Sequence, residues 1–211
     1  MNTINLKVYD LATLIGRNPY KSAEECKKII YSNEKRTYMK SSDAKRIIEI
    51  DSDINVLVNS PAGAASSNGF SHLNPEEFKN KRDLAGRISG ILGEKDIAAQ
   101  FTAETKIKIY NNANVDRIIH RSSNYEYHLK GRADGICYIN SRKCIIEIKR
   151  RMEKFMQPEY DLIQIQAYMY LYDIRQAILI QSLNGQIKHE KIIYDEDLFK
   201  KYLSELKAVL I

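Results

Sequence analysis

Residues Gly131-Arg132-Ala133-Asp134-Gly135-Ile136-Cys137-Tyr138-Ile139-Asn140-Ser141-Arg142-Lys143-Cys144-Ile145-Ile146-Glu147-Ile148-Lys149-Arg150-Arg151 set two short apolar runs on either side of a polar turn. Gly135–Ile139 and Cys144–Lys149 read as the strands of a hairpin, with Asn140-Ser141-Arg142-Lys143 as its connection. A four-residue connection makes Ile139 face Cys144, which puts Asp134 opposite Lys149 and Ile136 opposite Glu147. Side chains alternate along a strand, so all four point to one face. Asp134 and Glu147 then become diagonal neighbours, about 7–8 Å apart. Cys144, Ile146 and Ile148 cover the opposite face, and Ile145 adds an apolar residue beside the charges. Such a strand is central, where two acids and an amine are costly unless something pairs with them. A hard cation held by oxygen ligands answers that need. It would polarise a phosphodiester and activate water, leaving Lys149 to orient the water or stabilise developing charge. The ordinary alternative makes Asp134-Gly135 a turn and Glu147/Lys149 a solvated strand face.

The flanking sequence places this hairpin in a larger frame. Lys106–Tyr110 and Tyr125–Lys130 alternate polar and apolar residues, as strands do. After Pro158, residues from Asp161 to about Asp173 form a helix that is apolar nearly all round and therefore buried. Strands at Ala177–Ser182 and Gln186–Tyr194 follow, separated by Asn184-Gly185, and a last amphipathic helix starts near Asp195. Upstream the pattern is helical. Ser22 caps a helix through Glu24–Ile30, a second covers Asp43–Ile50, and Asn59–Gly69 reads as an exposed loop. Asn74-Pro75-Glu76-Glu77 starts a helix that runs to about Phe101, with a break expected at Gly90 or Gly93. The order predicts one α/β domain over 1–211. It has a mainly helical part (1–103), a sheet with an inserted helix (104–194) and a closing helix (195–211). A central mixed β-sheet would be flanked by helices on both faces.

Composition narrows the classes. The 211 residues are 44% hydrophobic and 28% charged, with a net charge of +6. A pI near 9.0 suits a polyanionic partner, since lysines and arginines displace counterions from phosphates. Lys149-Arg150-Arg151 concentrates that charge at the end of the key strand. Three cysteines (Cys26, Cys137, Cys144) fall short of an iron–sulfur ligand set and read as small buried residues. Four scattered histidines give no zinc-ligand spacing. No apolar run approaches a membrane span and no secretory pattern opens the chain, so an intracellular, soluble protein with no membrane partner is expected.

Asp134 followed by Glu147-Ile148-Lys149 resembles the PD-(D/E)XK nuclease signature, with Ala133 where many members have proline. Over about residues 11 to 182 the chain resembles the phage lambda exonuclease and YqaJ-type viral recombinase group. That resemblance implies a restriction-endonuclease-like core and a Mg²⁺-dependent deoxyribonuclease, with Mn²⁺ able to substitute. Asp134, Glu147 and the Ile148 backbone carbonyl would ligate the metal, and Lys149 would act beside it. Gly93-Glu94-Lys95-Asp96-Ile97-Ala98-Ala99 fits the group's helix that brings a further acid, Glu94; the alternative for Glu94 is a surface acid near a helix start. Gln164 matches the glutamine that lines the group's active site, with Gln166 as the competing register and a core-capping role as the alternative. Tyr168 shares a helix face with Gln164.

In Leu14–Glu25, which resembles the group's opening segment, Arg17 and Ser22 are candidates for DNA phosphate, as are Arg150 and Arg151 at the strand end. Without the resemblance, that segment is a turn joining two helices. The implied activity is an exonuclease on double-stranded DNA ends, used in viral recombination or repair. The implied partners are a homotrimeric ring and a single-strand annealing protein. An endonuclease on the same fold, or a DNA-binding relative without catalysis, stays open, because chemistry and DNA delivery vary independently on one fold.

Overall fold

The computed structural model describes residues 1–32, 39–59, 70–151 and 153–210. Strand β1 (Asn2–Lys7) opens the chain, followed by a tight 3-10 turn (Val8–Asp10) and the short helix α1 (Leu11–Leu14). Helices α2 (Ala23–Tyr31), α3 (Ser41–Ile50), α4 (Ser52–Asn59) and α5 (Pro75–Thr105) come next. Strands β2 (Val115–Arg121), β3 (Tyr125–Gly131), β4 (Gly135–Ile139) and β5 (Arg142–Arg150) precede helix α6 (Glu159–Tyr172). Strands β6 (Gln176–Leu183) and β7 (Gln186–Ile193) and helix α7 (Glu196–Val209) complete it. Most of the expected loop at Asn59–Gly69 lies outside the described residues, and Asn59 itself ends α4.

The strands form two mixed sheets where one was expected. Four strands run β4-β5-β6-β7, with β5 and β6 parallel and the outer pairs antiparallel. Three more run β1-β3-β2, with β1 parallel to β3. Helices cover both faces of the four-stranded sheet. Ile97 and Phe101 of α5 pack with Cys137, Cys144, Ile146, Ile148, Ile178 and Ile180 on one face. Ile163, Ile165 and Ala167 of α6 join Ile145, Ala177 and Leu179 on the other. The N-terminal half of α5 packs instead with α3 and α4, through Ala44, Ile54, Leu57, Ala85 and Ile88. All three cysteines are buried and free, as their small apolar character suggested.

Several local expectations change. Asn140 and Ser141 both adopt positive φ, 48° and 65°, and Ile139 pairs with Arg142. The hairpin turn is therefore two residues long, not four. Two successive left-handed residues match the twist of the strands they join, and asparagine tolerates that conformation better than most residues. The register moves accordingly: Gly135 pairs with Ile146, and one further step sets Asp134 opposite Glu147. Helix α5 runs through Gly90 and Gly93 unbroken, because separate apolar clusters hold its two halves. Lys106–Tyr110 is not a strand; Tyr110 alone makes a bridge, to Ile136.

Gly131 ends β3 where a side chain has no room: an added Cβ would stand 2.7 Å from Val8 Cγ2 and 2.8 Å from Tyr168 Cε1. Gly131→Ala is expected to cost about 1–3 kcal/mol through overpacking, read as a lowered midpoint in urea at unchanged slope. A midpoint equal to wild type would mean that this contact is looser than drawn.

Candidate active site

The hairpin and α6 bring the predicted acid–acid–amine group together. Asp134 sits just before β4, and its Oδ2 accepts a 2.7 Å hydrogen bond from the Ile148 N–H. Glu147 points toward α6 and is 2% exposed. Its Oε1 lies 2.8 Å from Lys149 Nζ, while its Oε2 is buried with no hydrogen-bond partner. Lys149 Nζ also donates to Gln164 Oε1 at 2.9 Å. Gln164 in turn donates to the Tyr168 hydroxyl at 3.4 Å. Gln164 is thus the glutamine that contacts the Lys149 amine. Gln166, the competing register, accepts from Asp195 N–H and donates to the Ile193 carbonyl, joining α6 to the start of α7.

Asp161, in the first turn of α6, is a participant that sequence reasoning passed over. It is 3% exposed, stands 3.7 Å from Lys149 Nζ and pairs with Arg151 at 2.6 Å. Acids in a helix's first turn are common for dipole reasons alone, which hid it. Arg132 was missed as well. It lines the same cleft as Asp134, and its charge opposes the upward shifts of both Asp134 and Glu94.

That cleft, about 690 Å³, opens between α5 and the segment before β2. Glu94, Lys95, Asn112, Asp134 and Ile148 are among its lining residues. Glu94 therefore faces the expected space. Even so, among the described residues no three acidic, histidine or cysteine side chains cluster closely enough to form a ready-made metal site.

The electrostatics show how crowded the acids are. Burial, then the neighbouring Glu94 carboxylate, pushes Asp134 up to about 6. Burial and Asp134 raise Glu147, against the pull of Lys149. Burial and Glu147 raise Glu94. Burial works against the charge on Lys149, but Glu147 and Asp161 outweigh it and keep the amine protonated. One ammonium thus stands among acids that repel each other. The unpartnered Glu147 Oε2 is the point where a further positive charge is wanted.

The candidate phosphate contacts fare differently. Arg151 is no exposed cation: its guanidinium donates to Gln181 Oε1, the Met156 carbonyl and Asp161. With its side chain 9% exposed, it braces the strand end. Arg17 is held by Glu159 and Glu205, and the Ser22 hydroxyl accepts from Glu25 N–H as the cap of α2. All three are engaged in structural contacts, because each lies beside a carboxylate or a helix start that satisfies it first. Arg150 is exposed next to α5, donating to the Ser89 carbonyl at 3.4 Å. Tyr168 is buried, 6% exposed, so it supports Gln164 and offers no open surface.

The chain is structurally similar to phage-related and alkaline exonucleases. The SSO0001 crystal structure superposes with a TM-score of 0.50 at 17% identity, over 98% of this chain and 77% of that one. A phage related exonuclease from Haemophilus somnus 129PT gives 0.48 at 15% identity, over 98% and 92%. The alkaline exonuclease LHK-Exo from Laribacter hongkongensis gives 0.46 at 14% identity, over 81% and 84%. No family model matches the chain, and no curated protein matches it by sequence. At these identities the likeness concerns the fold alone, and what the site does has to come from its own geometry. No helix among the described residues is long and apolar enough to cross a membrane.

Proposed function

We propose that this chain is a metal-dependent deoxyribonuclease acting as an exonuclease on double-stranded DNA ends. The observation that carries the proposal is Glu147. It is a fully enclosed carboxylate, with one oxygen on Lys149 and the other unpartnered, set directly across the hairpin from Asp134. A structural ion pair would need one acid and one amine. The surplus carboxylates fit a divalent cation, whose hard oxygen-ligand preference they match.

Asp134 and Glu147, with the Ile148 carbonyl between them, would hold Mg²⁺ or a substituting Mn²⁺, and Glu94 would complete the set from α5 across the cleft. When bound, the ion would supply Lewis-acid polarisation of the scissile phosphate. Lys149, kept protonated by Glu147 and Asp161, donates a hydrogen bond to the attacking water or to the developing negative charge. Gln164 fixes the amine's direction by accepting one of its protons, and Asp161 is shared between that amine and Arg151. Arg132 and Lys95 supply positive charge in the cleft for the DNA backbone, and Arg150 adds to it from the exposed strand end beside α5. The exonuclease form, the trimeric ring and the annealing-protein partner rest on the sequence resemblance, and the geometry of one subunit does not bear on them.

The purified chain with Mg²⁺ is expected to degrade linear duplex DNA and to leave a covalently closed circle of the same sequence intact. Equal cutting of both would replace the exonuclease with an endonuclease. Failure to cut either in Mg²⁺ or Mn²⁺ would remove the enzyme.

A further inference from the structure

The segment 17–22 poses a problem of its own. Each of its hydrogen-bonding side chains described above turns inward. Arg17 pairs with Glu159 of α6 at 3.4 Å and with Glu205 of α7 at 3.2 Å. Asn18 donates to Thr13 Oγ1 at 3.3 Å, and its own oxygen accepts from Tyr20 N–H at 3.0 Å. Ser22 caps α2. Pro19 removes a backbone rotation at the tip. The turn is thereby bolted to α1, α6 and α7. Yet the ring it presents, that of Tyr20, is 76% exposed, the highest value of any aromatic among the described residues. A lone exposed tyrosine on a floppy loop needs no explanation. A tyrosine held out by a turn fixed at this many points does.

Its position gives the explanation. Tyr20 meets Tyr160 edge-on, with ring centroids 6.1 Å apart and planes at 79°. Tyr160 is half-buried in the first turn of α6 and is followed by Asp161, which lies 3.7 Å from Lys149 Nζ. Tyr160 thus links Tyr20 to the residue that stands beside the amine of the candidate site. Beyond that contact the Tyr20 ring is open to solvent. Exposed aromatics beside a site that handles a nucleic-acid phosphate are what unpaired nucleobases stack on, whatever their sequence.

We infer that Tyr20, buttressed by Tyr160, is a stacking platform for an unpaired nucleobase of the DNA strand entering the site. The inference rests on the nuclease proposal for its ligand class and adds which part of the substrate is held, and by what.

The chain contains no tryptophan, so Tyr20→Trp introduces a single reporter at the platform. The probe is a 5′-phosphorylated (dT)₈ in Ca²⁺, with binding followed independently by anisotropy of a 3′-labelled copy. The expected result is saturable quenching of the Trp emission that tracks the anisotropy. Tyr20→Ala should weaken binding by roughly ten-fold or more, within the range for loss of one base stack, while Tyr20→Phe stays close to wild type. Because the ring is exposed, Tyr20→Ala should keep the wild-type melting temperature, which separates a lost contact from a damaged fold. If wild type binds the oligonucleotide but Tyr20→Ala binds equally well, or the Trp is unquenched at saturation, the platform is wrong and the nuclease proposal stands untouched. If wild type binds no oligonucleotide and cuts no DNA, both fall together.

Discussion

Lys149→Ala is expected to lower Mg²⁺-dependent cleavage of linear duplex by at least about 10³-fold while DNA binding in Ca²⁺ stays close to wild type. Removing one preorganised donor aimed at developing charge costs about 10²–10³ in turnover in comparable sites. Here the amine has a second task. It is the cation that neutralises Glu147 at 2.8 Å and stands 3.7 Å from Asp161, both nearly inaccessible to water. Its loss leaves the carboxylates facing each other and pushes Glu147, already raised to about 8 by burial and Asp134, higher still, so that it ligates less well. Two effects therefore act in the same direction. The checking measurement is single-turnover cleavage alongside a binding isotherm for the same duplex. Cleavage within ten-fold of wild type would remove Lys149 from the chemistry. Loss of binding as well as cleavage would move it to the DNA contact surface.

Asp134→Asn should abolish cleavage to a similar degree and yet make the metal-free protein more stable above neutral pH. Burial and Glu94 raise Asp134 to about 6, above the ordinary aspartate value near 4. The folded chain therefore binds more protons than the unfolded chain across that window. Stability falls as pH rises from about 4 to about 6 and stays low beyond it. The loss is on the order of 3 kcal/mol, at about 1.4 kcal/mol per pH unit of displacement. Asparagine keeps an oxygen for the Ile148 N–H and carries no charge, so it escapes the loss. The variant should melt several degrees above wild type at pH 8 in EDTA, and match it near pH 4. Adding Mg²⁺ should raise the wild-type midpoint and leave the variant's where it was, because a ligand stabilises only a state that binds it. A variant less stable than wild type at pH 8 would mean that Asp134 is an ordinary structural carboxylate.

The parts of the fold that were legible in the sequence are those whose local chemistry and tertiary role agree. Strand β5 reads cleanly because its middle, Cys144–Ile148, is central and buried on both faces, with Glu147 as the one charged residue in it. The caps Ser22, Asn74 and Asp195 each accept backbone N–H groups as their residue types suggest. Gln164 and Gln166 differ in sequence only by helix face, and the structure puts the first against Lys149 and the second against β7.

The misses have equally local causes. Asn140-Ser141 carries no glycine, so a two-residue left-handed turn was not apparent, and the register slipped by two. Strand β2 contains an irregularity between Ile118 and His120 that breaks the alternation a strand would show. Strand β1 buries Ile4 and Leu6 on one face, but it pairs with β3 more than a hundred residues away, and sequence pattern alone does not supply that partner. Arg17 and Ser22 were candidates by resemblance and Arg151 as part of a basic run, and in the structure each is engaged by a carboxylate or a helix start.

Helix α5 carries one more consequence. It is 31 residues long, and its ends belong to different cores: Ala85 and Ile88 to the small helical cluster, Ile97 and Phe101 to the sheet. Gly90 and Gly93 fall between those anchorages, and each weakens the helix by about 1 kcal/mol relative to alanine. Glu94 comes immediately after the last of them. The acid that would close around the ion from the far side thus rides on the most compliant stretch of a spar pinned at both ends. Its reach to Asp134 can be tuned by slight flexing, with neither core having to give way.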